Sequence, residues 1–259
     1  MTQEETDLLL GRAPTHRHTD SEASTNRLYD PRTGPLKILV WNIQFAASTS
    51  CHFFYEGGPL TSVPHRSTVG ETLDEIAALI ARHDPDVVLL QEVDRCSRRS
   101  WYIDEHTELL RRLPCYVYEA STWYWQMPWI PAPLGLGKEM LGRVDLHLSV
   151  LSKYALRDVR RVPLPAIKSD GCIARLFNLR RCVQLVTLPT ADGLDVNILH
   201  THLSAFTNGD GTAEAQVSVC ATPIPTRNAG CASRLVLCSV LLPVPPLPMR
   251  NRWRCFSLS

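Results

Sequence analysis

Residues 85–100 read PDVVLLQEVDRCSRRS. Pro85, set between Asp84 and Asp86, ends whatever precedes it. Val87 to Leu90 is an unbroken apolar run of strand formers, and Gln91, Glu92 and Asp94 follow at once. A buried strand that delivers carboxylates at its C-terminal end is the reading that decides the fold. Just upstream, Leu73, Ile76, Ala77 and Ile80 recur at helical spacing, and Thr68 with Glu71 has the spacing of a capping box. A helix should therefore run from there to about His83. Further back, KILVWNIQF (Lys37 to Phe45) is a second apolar, β-branched run that turns polar around Asn42, followed by a loop containing Gly57 and Gly58. Strand, helix, strand opens an α/β fold.

Downstream, Trp101 to Leu113 is amphipathic enough for a helix and Cys115 to Glu119 for a short strand. STWYWQMPWIPAPLG (Ser121 to Gly135) holds Trp123, Tyr124, Trp125 and Trp129 among three prolines, and reads as a loop packed against a sheet edge. From Leu146 the pattern becomes strands separated by turns: 146–152, 155–162, 181–188 and 194–203. In the last, Val196, Ile198, His200 and His202 share one face, and Asn197, Leu199, Thr201 and Leu203 the other. A helix should open near Asp210 or Thr212 and pass through Glu214 and Val217. No internal repeat is visible.

The chain has 259 residues, room for one large domain or two small ones, with 44% hydrophobic and 20% charged residues. That is ordinary globular usage and excludes a coiled coil, a collagen or a wholly disordered chain. A formal charge of +1 leaves no whole-molecule field for holding a polyanion, so any such ligand must be gripped locally. Nine cysteines without a C-x-x-C pair fit a reducing compartment better than a disulfide framework or a zinc ribbon. The triplet Leu8–Leu10 is too short for a secretory signal and no apolar run approaches a transmembrane span, which reads as a soluble, intracellular protein, most simply cytoplasmic. The oligomeric state is not legible. Residues 1–35 read as a disordered leader and 36–218 as the folded domain. Residues 219–259 form an atypical tail: beyond Glu214 there is no Asp, Glu or Lys, but four of the nine cysteines and six of the nineteen prolines.

Asn42, Glu92 and His202 each sit at or just past the C-terminal end of an expected strand, where a sheet brings together residues distant in sequence. A carboxylate suits a hard cation such as Mg2+, an asparagine can orient a phosphate or a carboxylate, and a histidine can donate to a phosphoryl oxygen. Singly, such a glutamate is ordinarily solvated and such a histidine ordinarily structural. Together they mark a candidate site. GLGKEMLG (Gly135 to Gly142) lacks the ending and the preceding strand of a phosphate loop. The doublets Arg98/Arg99, Arg111/Arg112, Arg160/Arg161 and Arg180/Arg181 can line a phosphate track, but are also what a solvated face carries.

In order and spacing, VWNIQF (Val40 to Phe45), PDVVLLQEVDRCSRRS, LSKY (Leu151 to Tyr154) and LHTHLSAF (Leu199 to Phe206) resemble the endonuclease/exonuclease/phosphatase superfamily, to which the DNase I-like enzymes belong. The resemblance spans residues 36–217. It implies a four-layer α/β sandwich, two mainly antiparallel sheets flanked by helices, and hydrolysis of phosphate esters with Mg2+ or Mn2+. It further implies Glu92 as metal ligand, with Asn42 and His202 as catalytic residues at the scissile phosphate. No role carries over for Asp94, Arg95 or His200. The implied substrate is a phosphate ester of a nucleic acid, a phospholipid or an inositol phosphate. Two family segments, a strand ending in GDFN and a late SDH-like motif with the general-base histidine, have no match here. The expectation is a sandwich incomplete at the C-terminus, a poorly packed tail and impaired catalysis, or else a non-catalytic fragment or phospho-ligand binder.

Overall fold

The computed structural model describes residues 15–18, 27–47, 64–130, 142–166, 179–203, 211–221, 234–239 and 253–258. The loop with Gly57 and Gly58, most of the GLGKEMLG segment, most of the leader and Ser204–Phe206 lie outside the described residues. Ten strands are described: β1 (Thr15–His18), β2 (Leu36–Asn42), β3 (Val87–Asp94), β4 (Tyr118–Ile130), β5 (Gly142–Ser152), β6 (Arg157–Pro163), β7 (Cys182–Leu188), β8 (Val196–Thr201), β9 (Arg234–Ser239) and β10 (Trp253–Leu258). Three α-helices accompany them: α1 (Arg66–His83), α2 (Glu105–Arg112) and α3 (Thr212–Ala221). One sheet has the order β1-β4-β5-β3-β2-β10 and the other β6-β7-β8-β9. Each contains a single parallel pair, β2 with β3 and β8 with β9, so both are mainly antiparallel.

Alternation along the strands sorts the core into layers. Ile38, Val40, Val87, Leu89, Ala120 and Val150 of the first sheet pack with Val186, Leu188, Val196 and Ile198 of the second, so the sheets lie face to face. The opposite pleat of the first sheet, with Leu39, Val88, Leu90 and Leu151, is covered by Val69, Leu73, Ile76 and Ile80 of α1 and Leu109 of α2. Outside the second sheet, Val183, Leu185, Leu199 and Leu203 meet Cys220 of α3. Helix, sheet, sheet and helix make the four-layer α/β sandwich. The alternation read from β8 holds, since Val196 and Ile198 face the other sheet while Leu199 and Leu203 face α3.

Three readings need correction. From Ser121 to Ile130 the aromatic stretch is no loop: it continues β4, pairing with β5 from Tyr118↔Ser152 to Ile130↔Gly142 through two register shifts, while 131–135 lie outside the described residues. Pro128 signals a break, but pairing with β5 and the register shift between Met127 and Ile130 absorb it. The Thr68/Glu71 capping box does not form, because α1 starts at Arg66 behind His65, which makes no side-chain cap. The tail does not leave the sheets without closing strands: β9 lies parallel to β8, β10 lies antiparallel to β2, and Arg234 faces Asp192 at 3.9 Å. Backbone pairing serves there without any demand on side-chain type. Thr15–His18, within the expected leader, also pairs, with β4. Cys96, Cys115, Cys182 and Cys220 are free thiols.

Toward one end the inter-sheet core turns polar. Gln91 Nε2 donates to His200 Nε2 at 2.8 Å, and His200 Nδ1 donates to Gln184 Oε1 at 3.0 Å, which ties β3 to β8 and β7. His200 is wholly buried, and burial lowers its pKa to about 3. Unfolded, it titrates near ~6.5. The stability gained by keeping it neutral is therefore complete above that value and lost as pH falls toward about 3. Urea midpoints should drop between pH 7 and pH 5, and His200→Gln should reduce that slope without abolishing it, because burial also lowers His147 and His202. An unchanged slope in the variant would refute this account.

Candidate active site

Glu92 owes its position to a defect in the ladder. The β3–β5 register shifts between Leu90 and Val93, and Glu92 adopts φ 55°. Strict alternation would turn Glu92 toward α1, opposite to Gln91. The bulge with its left-handed residue lets Gln91 and Glu92, consecutive in sequence, both serve the inter-sheet side. Such a backbone costs about 1–2 kcal/mol for a residue with a Cβ, and partners hold it.

Asn42, at the end of β2, is one partner. Its Nδ2 donates to Glu92 Oε1 at 2.8 Å, and its Oδ1 accepts from the Gln44 backbone N–H at 3.0 Å, which fixes the amide orientation at both ends. The chain then turns through Gln44, Phe45 and Ala46, all with positive φ. The Arg99 guanidinium lies 3.8 Å over the Phe45 ring and is clamped on Asp94 by bonds of 2.8 and 2.9 Å. Burial alone would lower the Arg99 pKa; Asp94 more than offsets it. Asp94 is thus committed to Arg99, and Arg95 to Asp104 at 2.8 Å.

From the second sheet, His202 comes within 3.6 Å of Glu92 Oε1 through Nε2, and its Nδ1 lies 3.3 Å from the Tyr124 hydroxyl. Burial, then Arg181 and His200, holds the imidazole pKa well below its ordinary value, so the ring is neutral. Burial also raises the Tyr124 phenol, reinforced by Glu92, so it keeps its proton, and because Nε2 faces the Glu92 carboxylate the favoured tautomer leaves Nδ1 to accept from it. The remaining imidazole proton then sits on Nε2, facing the carboxylate. Arg181 Nη1 donates to the His202 main-chain oxygen at 2.6 Å. Asn42, Glu92 and His202 are brought together as the sequence reading expected. His200 stands apart, enclosed between two glutamines.

Tyr124 escaped the sequence reading because its stretch was read as a loop. Tyr124 falls at the register shift between Trp123 and Trp125 and packs with Leu146 and Leu148, with Trp125 against the same cluster. As for metal, no group of three or more His, Cys, Asp or Glu among the described residues could hold an ion. Glu92 alone is of the right chemistry, and Mg2+ commonly takes one or two carboxylates together with water and substrate phosphate, so the donor set fits a weak site.

The architecture places the chain among four-layer α/β sandwiches with a polar site at one rim. Comparison with protein-family models and with curated sequences returns no match. Among solved structures the chain is similar to an endonuclease/exonuclease/phosphatase from Beutenbergia cavernae, with 24% identity over 71% of this chain and 43% of that one, TM-score 0.48. It is similar to a truncated TDP2 of Caenorhabditis elegans, with 16% identity over 73% of this chain and 54% of that one, TM-score 0.41. It is also similar to the human Nocturnin catalytic domain with bound sulfate anion, with 17% identity over 90% and 73%, TM-score 0.48. The chain thus spans about half the length of the first two. No helix among the described residues is long and apolar enough to cross a membrane.

Behind Glu92, the Glu105 carboxyl is wholly buried, accepts the Asp94 backbone N–H at 2.9 Å, and leaves Oε1 without a partner. Burial, then Asp94, raises its pKa well above the ordinary value. Its contribution to stability is present below the unfolded value and lost as pH rises. Glu105→Gln keeps the acceptor and removes the ionisation, so its melting temperature should exceed that of the unsubstituted protein at pH 8, with the gap narrowing toward pH 4. A lower value at pH 8 would contradict the assignment.

Proposed function

We propose that the rim formed by Asn42, Glu92, His202 and Tyr124 is the site of a metal-dependent phosphoesterase-type hydrolase of low turnover. The observation that carries this reading is the convergence of Asn42 and His202 on one carboxylate, Glu92 Oε1, at 2.8 and 3.6 Å. Glu92 would hold Mg2+ or Mn2+, which when bound supplies charge neutralisation at a phosphoryl oxygen. Asn42 orients the carboxylate through an amide that Gln44 locks. His202, neutral with its proton on Nε2, donates to a phosphoryl oxygen, and Tyr124 fixes that tautomer from Nδ1. The same tautomer limits the site. An imidazole whose Nε2 already carries the proton cannot take one from attacking water at that atom, and acid–base groups ordinarily contribute about 100- to 10,000-fold. The donor set therefore also supports a second reading, binding of a phosphate ester without turnover.

Titration calorimetry should show weak Mg2+ binding that Glu92→Gln removes. Hydrolysis of bis(p-nitrophenyl) phosphate should stay close to the rate in buffer and change little in that variant. Strong Mg2+-dependent hydrolysis abolished by Glu92→Gln would overturn the low-turnover reading, and Mg2+ binding unaffected by the substitution would remove Glu92 from the metal site.

A further inference from the structure

Where buried or half-buried arginines of this protein meet carboxylates, the match is close: Arg99 with Asp94 and Arg95 with Asp104, each at 2.8 Å, and Arg112 with Asp74 at 2.6 Å. Arg181 breaks that pattern. It precedes β7 at the site's rim, half-buried, and its guanidinium makes one hydrogen bond, from Nη1 to the neutral His202 carbonyl at 2.6 Å. Among the described residues no carboxylate stands within ion-pair distance of it. Among the described residues, one of its five guanidinium N–H groups is thereby used. Burial lowers the Arg181 pKa, and the groups that oppose this are chiefly Tyr124 and Glu92, which act on it at a distance.

Two more arginines are strung along the same backbone. The Arg180 N–H donates to the Tyr124 carbonyl at 2.7 Å, and the Arg180 side chain is exposed. Arg161 donates from Nε to the Trp123 carbonyl at 3.1 Å and from Nη2 to the Arg180 carbonyl at 2.9 Å, with its guanidinium 4.1 Å over the Trp123 ring. In a protein of net charge +1, Arg181 places positive charge at the edge of the site, with Glu92 as the acid it acts on. A half-buried guanidinium without an anion is costly, and its planar fork matches two oxygens of a phosphate.

We propose that Arg181, with Arg180 at its flank, forms an anion subsite that takes a phosphate group of a phosphate ester beside His202. The identity of the ligand rests on the phosphoesterase reading; the subsite itself does not require turnover.

Inorganic phosphate is the probe. By titration calorimetry in metal-free buffer, the full chain should bind it, and Arg181→Met should weaken binding about tenfold or more, as loss of a charge-assisted bond does. Arg111→Gln, on the exposed face of α2, should leave it unchanged. Should Arg181→Met fail to fold, Arg181→Gln, which keeps a donor for the His202 carbonyl, carries the same expectation. The unsubstituted protein gives an independent readout: phosphate should protect Arg181 from phenylglyoxal, followed by peptide mass mapping. A 5′-mononucleotide and glycerol phosphate, added as competitors, tell a nucleic-acid source from a lipid headgroup. Displacement by either supports the subsite, and displacement by neither overturns it. Absence of phosphate binding, equal binding by the Arg181 variants, or no protection also overturns it. Phosphate binding lost with Arg181 in a chain whose Mg2+ binding is indifferent to Glu92→Gln would sink the metal-site reading and leave the subsite. Hydrolysis with phosphate affinity indifferent to Arg181 would do the reverse.

Discussion

Gln91 and Glu92 both serve the side of β3 that faces the second sheet, and that doubled step is the constraint on which the site depends. A regular strand can present only one of two neighbours to a given face. Here the register shift and the left-handed Glu92 let Gln91 reach His200 while Glu92 reaches Asn42 and His202. Gln91 keeps the two sheets in register at the depth where the core turns polar, and Glu92, one residue on, collects a group from each sheet. Straightening the strand would leave one role unfilled.

The supports of this step form a chain of charges beside the strand end. Asp94 receives Arg99, Arg99 lies over Phe45, and Phe45 belongs to the turn that positions Asn42. Glu105 holds the Asp94 backbone from the start of α2. Asp94, Arg99 and Glu105 therefore support Glu92 through packing and charge, and Asp94 and Arg99 also act on Tyr124.

Much of the architecture was legible because apolar period is a direct imprint of burial. The run Val87–Leu90 and the alternation in Val196–Leu203 translate into layers, and the strand ends translate into a rim. That Asn42, Glu92 and His202 share one rim was legible for the same reason. What escaped lacks such an imprint. The bulge at Glu92 is a matter of pairing partners, which no local pattern records. Tyr124 was hidden by its neighbours, since prolines signal a loop unless a long partner such as β5 is known to lie alongside. β9 and β10 join sheets through backbone hydrogen bonds, which are blind to the composition that set the tail apart. Arg181 looked like half of a surface doublet, and only the geometry separates it from exposed Arg180.

The pairing of β10 with β2 has a temporal side. Leu36 to Asn42 finds one edge partner in β3, about fifty residues on, but the other in Trp253–Leu258, more than two hundred residues later. During synthesis the outer edge of β2 must wait, with its N–H and C=O groups unpaired, until that strand emerges. β8 waits in the same way for β9, over a much shorter stretch. The first sheet is thus the last to be sealed although it is the first to be started. A chain paused or cleaved between residues 203 and 253 would expose an apolar strand, LKILVWN, ready to pair with whatever lies nearest.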